Sequence, residues 1–170
     1  MLNITCTEKY VLVDQAFNFD FPHQYTEYAQ LDQTQFEEQV YDQEVIILSD
    51  LIINQRVLEH NPNLKLLALC STGYNHIDIA LLKQHGVTVC NIRGQASDAV
   101  SEHAFCLMIN LMKHFHLQAQ AVKQGDWATG NSAFHLVAPM RELKNKTLVI
   151  VGKGTIGLAL AEKAVAFGMR

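Results

Sequence analysis

The sequence predicts an α/β fold in which a parallel-sheet domain is followed by the opening of a second α/β domain. Three observations predict it. Short apolar runs alternate with helical patterns up to about residue 95, the signature of βαβ construction. The runs are continuously apolar, as suits strands of a parallel sheet covered on both faces. A last run, Thr147–Val151, leads into Gly152-Lys-Gly-Thr-Ile-Gly157 and a helical stretch.

Taken in order, the strands are expected at 10–13 (YVLV), 45–48 (VIIL), 64–70 (LKLLALC), 87–90 (VTVC) and 147–151 (TLVIV). A helix over 34–41 would start at a Thr34 cap, with Glu37 three positions on completing a capping box. A second, over 54–60, would follow Asn54 and close before Pro62. A third, over 78–85, would start at Asp78 and stop at Gly86, a C′ glycine. From Ser97 to about Lys123 the pattern predicts one long helix with no breaker inside. Its apolar stripe is Ala104, Leu107, Met108, Leu111, Met112 and Phe115. Phe105, Cys106 and Ile109 widen that stripe nearly all round, so the helix is expected to be buried between domains or subunits. The domain boundary is placed there: residues 1–96, then 97–170. After an irregular stretch at 125–145 comes the glycine strand, then a helix over 155–167 whose buried face would be Ile156, Leu160, Ala164 and Phe167.

Composition narrows the function classes. The 170 residues are 49% hydrophobic and 18% charged, enough to bury a core and unlike a disordered chain. A net charge of -4, with no Lys/Arg cluster, argues against a nucleic-acid partner. No signal peptide and no apolar run of membrane-spanning length is visible, so no membrane role and a cytoplasmic location are expected. The four cysteines, Cys6, Cys70, Cys90 and Cys106, are scattered without a CxxC pair and read as free buried thiols. His114 and His116, two apart on a helix, point to opposite sides and cannot chelate together, so no metal site is expected.

The glycine motif carries the chemistry. GxGxxG is weak alone, but here it follows a strand and opens a helix, the context dinucleotide binding requires. Gly152 permits the turn, Gly154 lets the backbone approach a pyrophosphate, and Gly157 allows close helix–strand packing. The N–H groups of Thr155, Ile156 and Gly157 would face the anion at the helix start. The acidic residue that reads the ribose is expected about 20 residues further on, past Arg170. The reading is therefore of a cofactor site begun within the chain, in the front portion of an enzyme. An exposed partial domain also predicts an obligate dimer or larger assembly.

Several motifs then resemble one family. Leu66-Leu-Ala-Leu-Cys-Ser-Thr-Gly-Tyr-Asn-His-Ile-Asp78 is similar to the substrate-loop signature of D-isomer-specific 2-hydroxyacid dehydrogenases. Asn91-Ile-Arg-Gly-Gln-Ala-Ser-Asp-Ala-Val-Ser-Glu-His103 resembles the start of their interdomain helix. Lys123–Trp127, Val149–Gly157 and Ala166–Arg170 follow in the family's order and spacing, and Pro139-Met-Arg-Glu-Leu143 resembles the glycerate dehydrogenase, or hydroxypyruvate reductase, subgroup. The resemblance implies a flavodoxin-like first domain and a Rossmann second one. It implies NAD as cofactor (NADP remaining open) and a small 2-hydroxy or 2-keto acid as substrate. Backbone amides around Thr72, Gly73, Tyr74 and Asn75 would hold the substrate carboxylate, a nest needing no cation. Ser97 would line the nicotinamide side, with Gly152, Gly154, Thr155, Ile156 and Gly157 on the cofactor. The helix from Ser97 and the arm at 125–140 would form a homodimer interface. The family's catalytic Arg, Glu and His match no position up to Arg170, which implies that the 170-residue chain alone is inactive. Ser49-Asp50 departs from the Asn-Lys frequent in the glycerate subgroup.

Other features carry blander readings. His76 and His103 stand near the motifs but match no catalytic position, and a structural role is expected for each. Trp127 is expected to anchor the arm, and the aromatic stretch Phe17–Tyr28 to pack on the first domain. Two other functions stand beside this one: a non-catalytic truncated paralogue that dimerises or binds nucleotide, and a flavodoxin-like module with an incidental glycine loop. Several motifs in register count against the last.

Overall fold

The computed structural model describes residues 1–13, 15–130 and 133–170. These form two compact units, Met1–Arg93 and Gly94–Arg170. The first is a five-stranded sheet built from β1 (Leu2–Cys6), β2 (His23–Glu27), β3 (Val45–Leu48), β4 (Leu66–Leu69) and β5 (Thr88–Cys90). The strand order is β2-β1-β3-β4-β5, and every pair is parallel. Three helices connect them: α1 (Gln33–Gln39), α2 (Gln55–His60) and α3 (Ile79–Gln84).

Local chemistry sets the helix starts. Asn54 and Asp78 accept from the N–H groups of Val57 and Leu81, capping α2 and α3 where the sequence places them. Gly86 follows α3 with φ of 72°, the left-handed conformation a C′ glycine adopts. At α1 the cap is Asp32, not Thr34. Its carboxylate accepts from the Gln35 N–H while the Gln35 side chain accepts from the Asp32 N–H, a complete capping box two residues earlier than expected.

The connections decide which sheet face is filled. The crossovers through α1, α2 and α3 all step in one direction across the sheet, and right-handed crossovers then place all three helices on one face. Phe36, Ile46, Leu48, Val57, Leu67, Leu69 and Leu82 form the core there. The β1–β2 connection steps the opposite way. It lays Leu12, Phe17 and Phe19 over Ile4, Cys6 and Ile47 on the other face, so the Phe17–Tyr28 stretch does pack on this unit. Two expectations are corrected. Residues 10–13 are not a strand; Lys9–Leu12 is a 3-10 helix, and the strand pair at that end is β1 and β2. Nor is the sheet covered on both faces throughout. Along β4 burial alternates, with Leu67 and Leu69 buried and Leu66 and Ala68 only half-buried. Thr88 and Cys90 are exposed, because no helix of this unit reaches the second face there.

In the second unit the single long helix is corrected to α4 (Ser97–Lys113) and α5 (Phe115–Gln124), and a short helix, α6 (Asp126–Thr129), lies in the stretch expected to be irregular. The break is His114, with φ of 51°, a left-handed conformation uncommon for a non-glycine residue. The glycine-loop helix is α7 (Thr155–Ala166). Phe105, Leu143, Ala164 and Met169 form this unit's core, and the Phe105 and Phe167 rings meet edge-on at 4.7 Å. Within this unit α4 is buried along one stripe only, and Leu107 is 51% and Leu111 70% exposed. A single neighbouring helix can cover only one stripe of α4. On α7, likewise, Ala164 is buried and Leu160 partly so, whereas Ile156 and Phe167 are exposed by 41% and 51%.

Residues 147–151, expected as a strand, lie in no strand of the sheet, and Val151 is fully exposed. The segment has one sheet-like contact. Arg170 donates to the Lys146 carbonyl at 2.8 Å and accepts from Leu148 N–H at 2.7 Å, one residue straddling another as in a parallel ladder. The thiols are free, but only Cys6 is buried; Cys70 is half-buried, and Cys90 and Cys106 are exposed. Burial pushes the Cys6 and Cys70 thiols above the ordinary range, which keeps them protonated and unreactive at neutral pH. No helix among the described residues is long and apolar enough to cross a membrane. Among those residues no group of three His, Cys, Asp or Glu is placed to hold a metal.

Candidate functional site

Parallel sheets place their functional loops past the carboxyl ends of the strands, and the first unit follows that rule. Cys70–Asn75 leaves the end of β4, and Asn91–Arg93 leaves the end of β5. The two are tied together: the Asn91 side chain donates to the Thr72 carbonyl at 2.8 Å, and Ile92 N–H to the Ser71 carbonyl at 3.1 Å. Within the loop the Ser71 hydroxyl donates to the Gly73 carbonyl at 2.8 Å. Ile77 N–H then closes a turn on Tyr74, and Asp78 starts α3. With the loop's carbonyls engaged, its donors are left over. Among the described residues the N–H groups of Thr72, Gly73, Tyr74 and Asn75 donate to nothing, and all four residues are exposed. A run of free, consecutive N–H groups is an anion nest.

A neighbouring loop is fixed by a residue that sequence reasoning passed over. Glu8, just past β1, is 3% exposed. Its carboxylate accepts from the N–H groups of Ser49 at 2.6 Å and Asp50 at 3.0 Å, at the end of β3. Charge-assisted bonds of this kind are the strong ones, and they tie the loop after β3 to the end of β1. Neither Glu8 nor Asn91 had a role in the sequence reading. Asn91 stands directly after the apolar run of β5, whereas nothing beside Glu8 in the sequence marks it.

The second site lies in the other unit. Gly152 has φ of 111°, which only glycine adopts readily. Gly154 starts α7 in extended conformation, φ -85°. A Cβ on Gly157 would run into the Gly152 carbonyl oxygen and press on the Ile150 side chain. Gly152 and Gly157 thus each have a steric reason in this turn, and Gly154 opens onto free space. Among the described residues the N–H groups of Thr155, Ile156 and Gly157 have no acceptor, and they open a 12-residue helix whose dipole favours an anion. Ser97 comes to this loop, its hydroxyl donating to the Thr155 hydroxyl at 3.0 Å. One helical turn further along α4, Lys163 Nζ reaches the buried Ser101 hydroxyl at 3.0 Å, which fastens α7 along α4. A dinucleotide's pyrophosphate fits this turn: the space beside Gly154 is clear, and the donors are unspent.

The histidines stay outside both loops' polar networks. His76 is half-buried, its Nε2 enclosed without a partner, and His103 is exposed on α4. Trp127 is 54% exposed.

Comparison with known proteins agrees with this geometry. The profile of the D-isomer specific 2-hydroxyacid dehydrogenase catalytic domain matches residues 6–165. A glycerate dehydrogenase of Methylorubrum extorquens is 32% identical over 171 residues, covering 96% of this chain and 54% of that protein. A glyoxylate reductase of Thermococcus litoralis is 36% identical over 119 residues, 69% of this chain and 36% of the relative. Among solved structures, a Thermus thermophilus protein superposes with a TM-score of 0.81 at 23% identity, over 99% of this chain and 54% of the other. The chain thus spans about half the length of curated relatives that match it nearly end to end.

Proposed function

The chain belongs to the D-isomer specific 2-hydroxyacid dehydrogenase family, and from that premise we propose that the protein carrying it reduces small 2-keto acids of the hydroxypyruvate and glyoxylate type. The observation that supports this most is the glycine turn, with its free N–H groups at the start of α7 and Gly157 set against the Gly152 carbonyl. When bound, NADH or NADPH supplies the hydride. The chain's own residues do the holding: Thr155, Ile156 and Gly157 donate to the pyrophosphate, and Ser97 keeps the Thr155 hydroxyl in place. In the first unit, Thr72, Gly73, Tyr74 and Asn75 take the substrate carboxylate through backbone N–H groups. Backbone donors fixed by Asn91 cost no reorganisation on binding. The reading is tested by following NADH and NADPH oxidation with hydroxypyruvate and with glyoxylate, using the protein that carries this chain. Saturable, keto-acid-dependent oxidation is expected. Nucleotide binding without any turnover would overturn it in favour of a non-catalytic nucleotide-binding or dimerisation module.

We assign the dimer contact to residues 97–123 and the 125–140 arm, of which 131 and 132 lie outside the described residues, because Leu107, Leu111, Phe115 and Trp127 are all at least half exposed there. Apolar residues in such number along one stretch mark an interface. A dimer by sedimentation equilibrium at micromolar concentration is expected. A monomer that stays monodisperse under those conditions would refute the assignment.

A further inference from the structure

We propose that the groove between α3 and the open edge strand β5 binds a small organic oxyanion carried on an apolar body. The groove is built by two periodicities. Val87, Val89, Asn91 and Arg93 alternate along β5 and its continuation, so all four share one sheet face. Ile79 and Lys83, one turn apart, share one face of α3. Tyr74 lines the end, and the open groove measures about 480 Å³, within the roughly 300–1,000 Å³ of small-molecule sites.

Its chemistry is lopsided. Ile79, Val87 and Val89 give an apolar wall, and the polar wall carries two cations and no carboxylate. Among the described residues Lys83 and Arg93 enter no salt bridge, and neither side chain donates a hydrogen bond. Two uncompensated positive charges beside an apolar wall favour an anion whose body can stay against that wall. Both cations are exposed, so charge alone binds weakly there. The apolar body is therefore what makes the ligand specific.

The groove also adjoins the loop described above. Asn91 lines the pocket while its Nδ2 holds the Thr72 carbonyl, and Tyr74 belongs to both. A ligand in the groove would consequently be felt at the free N–H groups of Thr72–Asn75. Every residue of the site lies in Met1–Arg93, so the proposal does not depend on redox activity.

The test is an amide NMR titration of the whole chain with phenylacetate, phenyl phosphate and inorganic phosphate. Saturable shifts are expected at Val87–Arg93 and at Tyr74 with both phenyl compounds, and their relative affinities tell whether carboxylate or phosphate is the better head group. Lys83→Gln with Arg93→Gln should weaken both by about tenfold or more while leaving the remaining spectrum in place. Inorganic phosphate, lacking the apolar body, should bind about tenfold more weakly than phenyl phosphate. The proposal fails if the shifts do not saturate, if the double substitution leaves affinity unchanged, or if inorganic phosphate binds as well as its phenyl ester.

Discussion

Replacing Gly157 by valine is expected to destroy dinucleotide binding and to destabilise the second unit, whereas Gly154→Ala should destroy binding alone. The contrast comes from what each Cβ meets. At Gly157 the added carbon enters the Gly152 carbonyl oxygen and crowds Ile150. Backbone cannot rotate away as a side-chain tip can, so the turn itself must move. Overpacking of this kind costs about 1–3 kcal/mol, or several degrees of midpoint at roughly 2–4 °C per kcal/mol for a chain of this length. At Gly154 the new Cβ meets nothing within 4 Å, and φ of -85° suits alanine. The folded turn should therefore survive. The methyl would nonetheless stand where the pyrophosphate approaches the backbone, and a loss of about tenfold or more in nucleotide affinity is expected, equivalent to about 1.4 kcal/mol. Thermal unfolding and a fluorescence titration with NADH, run on both variants, separate the two effects. Unchanged affinity in Gly154→Ala would sink the assignment of this turn to a dinucleotide.

What the sequence made legible was whatever depends on neighbours in the chain. Asn54 and Asp78 are short polar residues directly before apolar helical runs, and both cap the helices expected of them. β3, β4 and β5 are apolar runs bounded by polar residues, and they sit where expected to within two residues. The glycine turn was equally legible, because each glycine has its own local reason. The failures needed information from elsewhere. β2 reads His-Gln-Tyr-Thr-Glu; it is an edge strand, and edges are kept polar to discourage pairing. β1 alternates Leu2, Ile4 and Cys6 with Asn3 and Thr5, a period-2 signal outweighed by the more continuous Tyr10–Val13 run. The break at His114 has no glycine or proline to announce it. Residues 147–151 have strand composition, and among the described residues their backbone pairs with Arg170 alone. In the sites, the free N–H groups were foreseeable from loop type. The side chains that fix those loops, Glu8 and Asn91, act across 41 and 19 positions of sequence, a separation that no local pattern encodes.

Phe36→Ala is expected to cost the first unit most of its stability. Phe36 is fully buried, with none of its surface exposed, on the one sheet face that three helices cover. Phenylalanine-to-alanine changes at such positions cost about 3–5 kcal/mol, against a total of roughly 5–15 kcal/mol for an ordinary domain. Two features of this fold push the cost toward the upper end. A large ring can be replaced by collapse only where neighbours are free to move, and α1 is pinned at its start by the Asp32–Gln35 box and bound through Gln33 to Ile52. The opposite sheet face cannot compensate, because near β4 and β5 it contributes only half-buried or exposed side chains. Urea unfolding followed by far-UV circular dichroism measures the loss directly. A shift of the midpoint equivalent to less than about 1 kcal/mol would mean that the site closes around the vacancy. It would also mean that the core beneath α1, α2 and α3 is not what holds β3 and β4, and with them the 70–75 loop, in place.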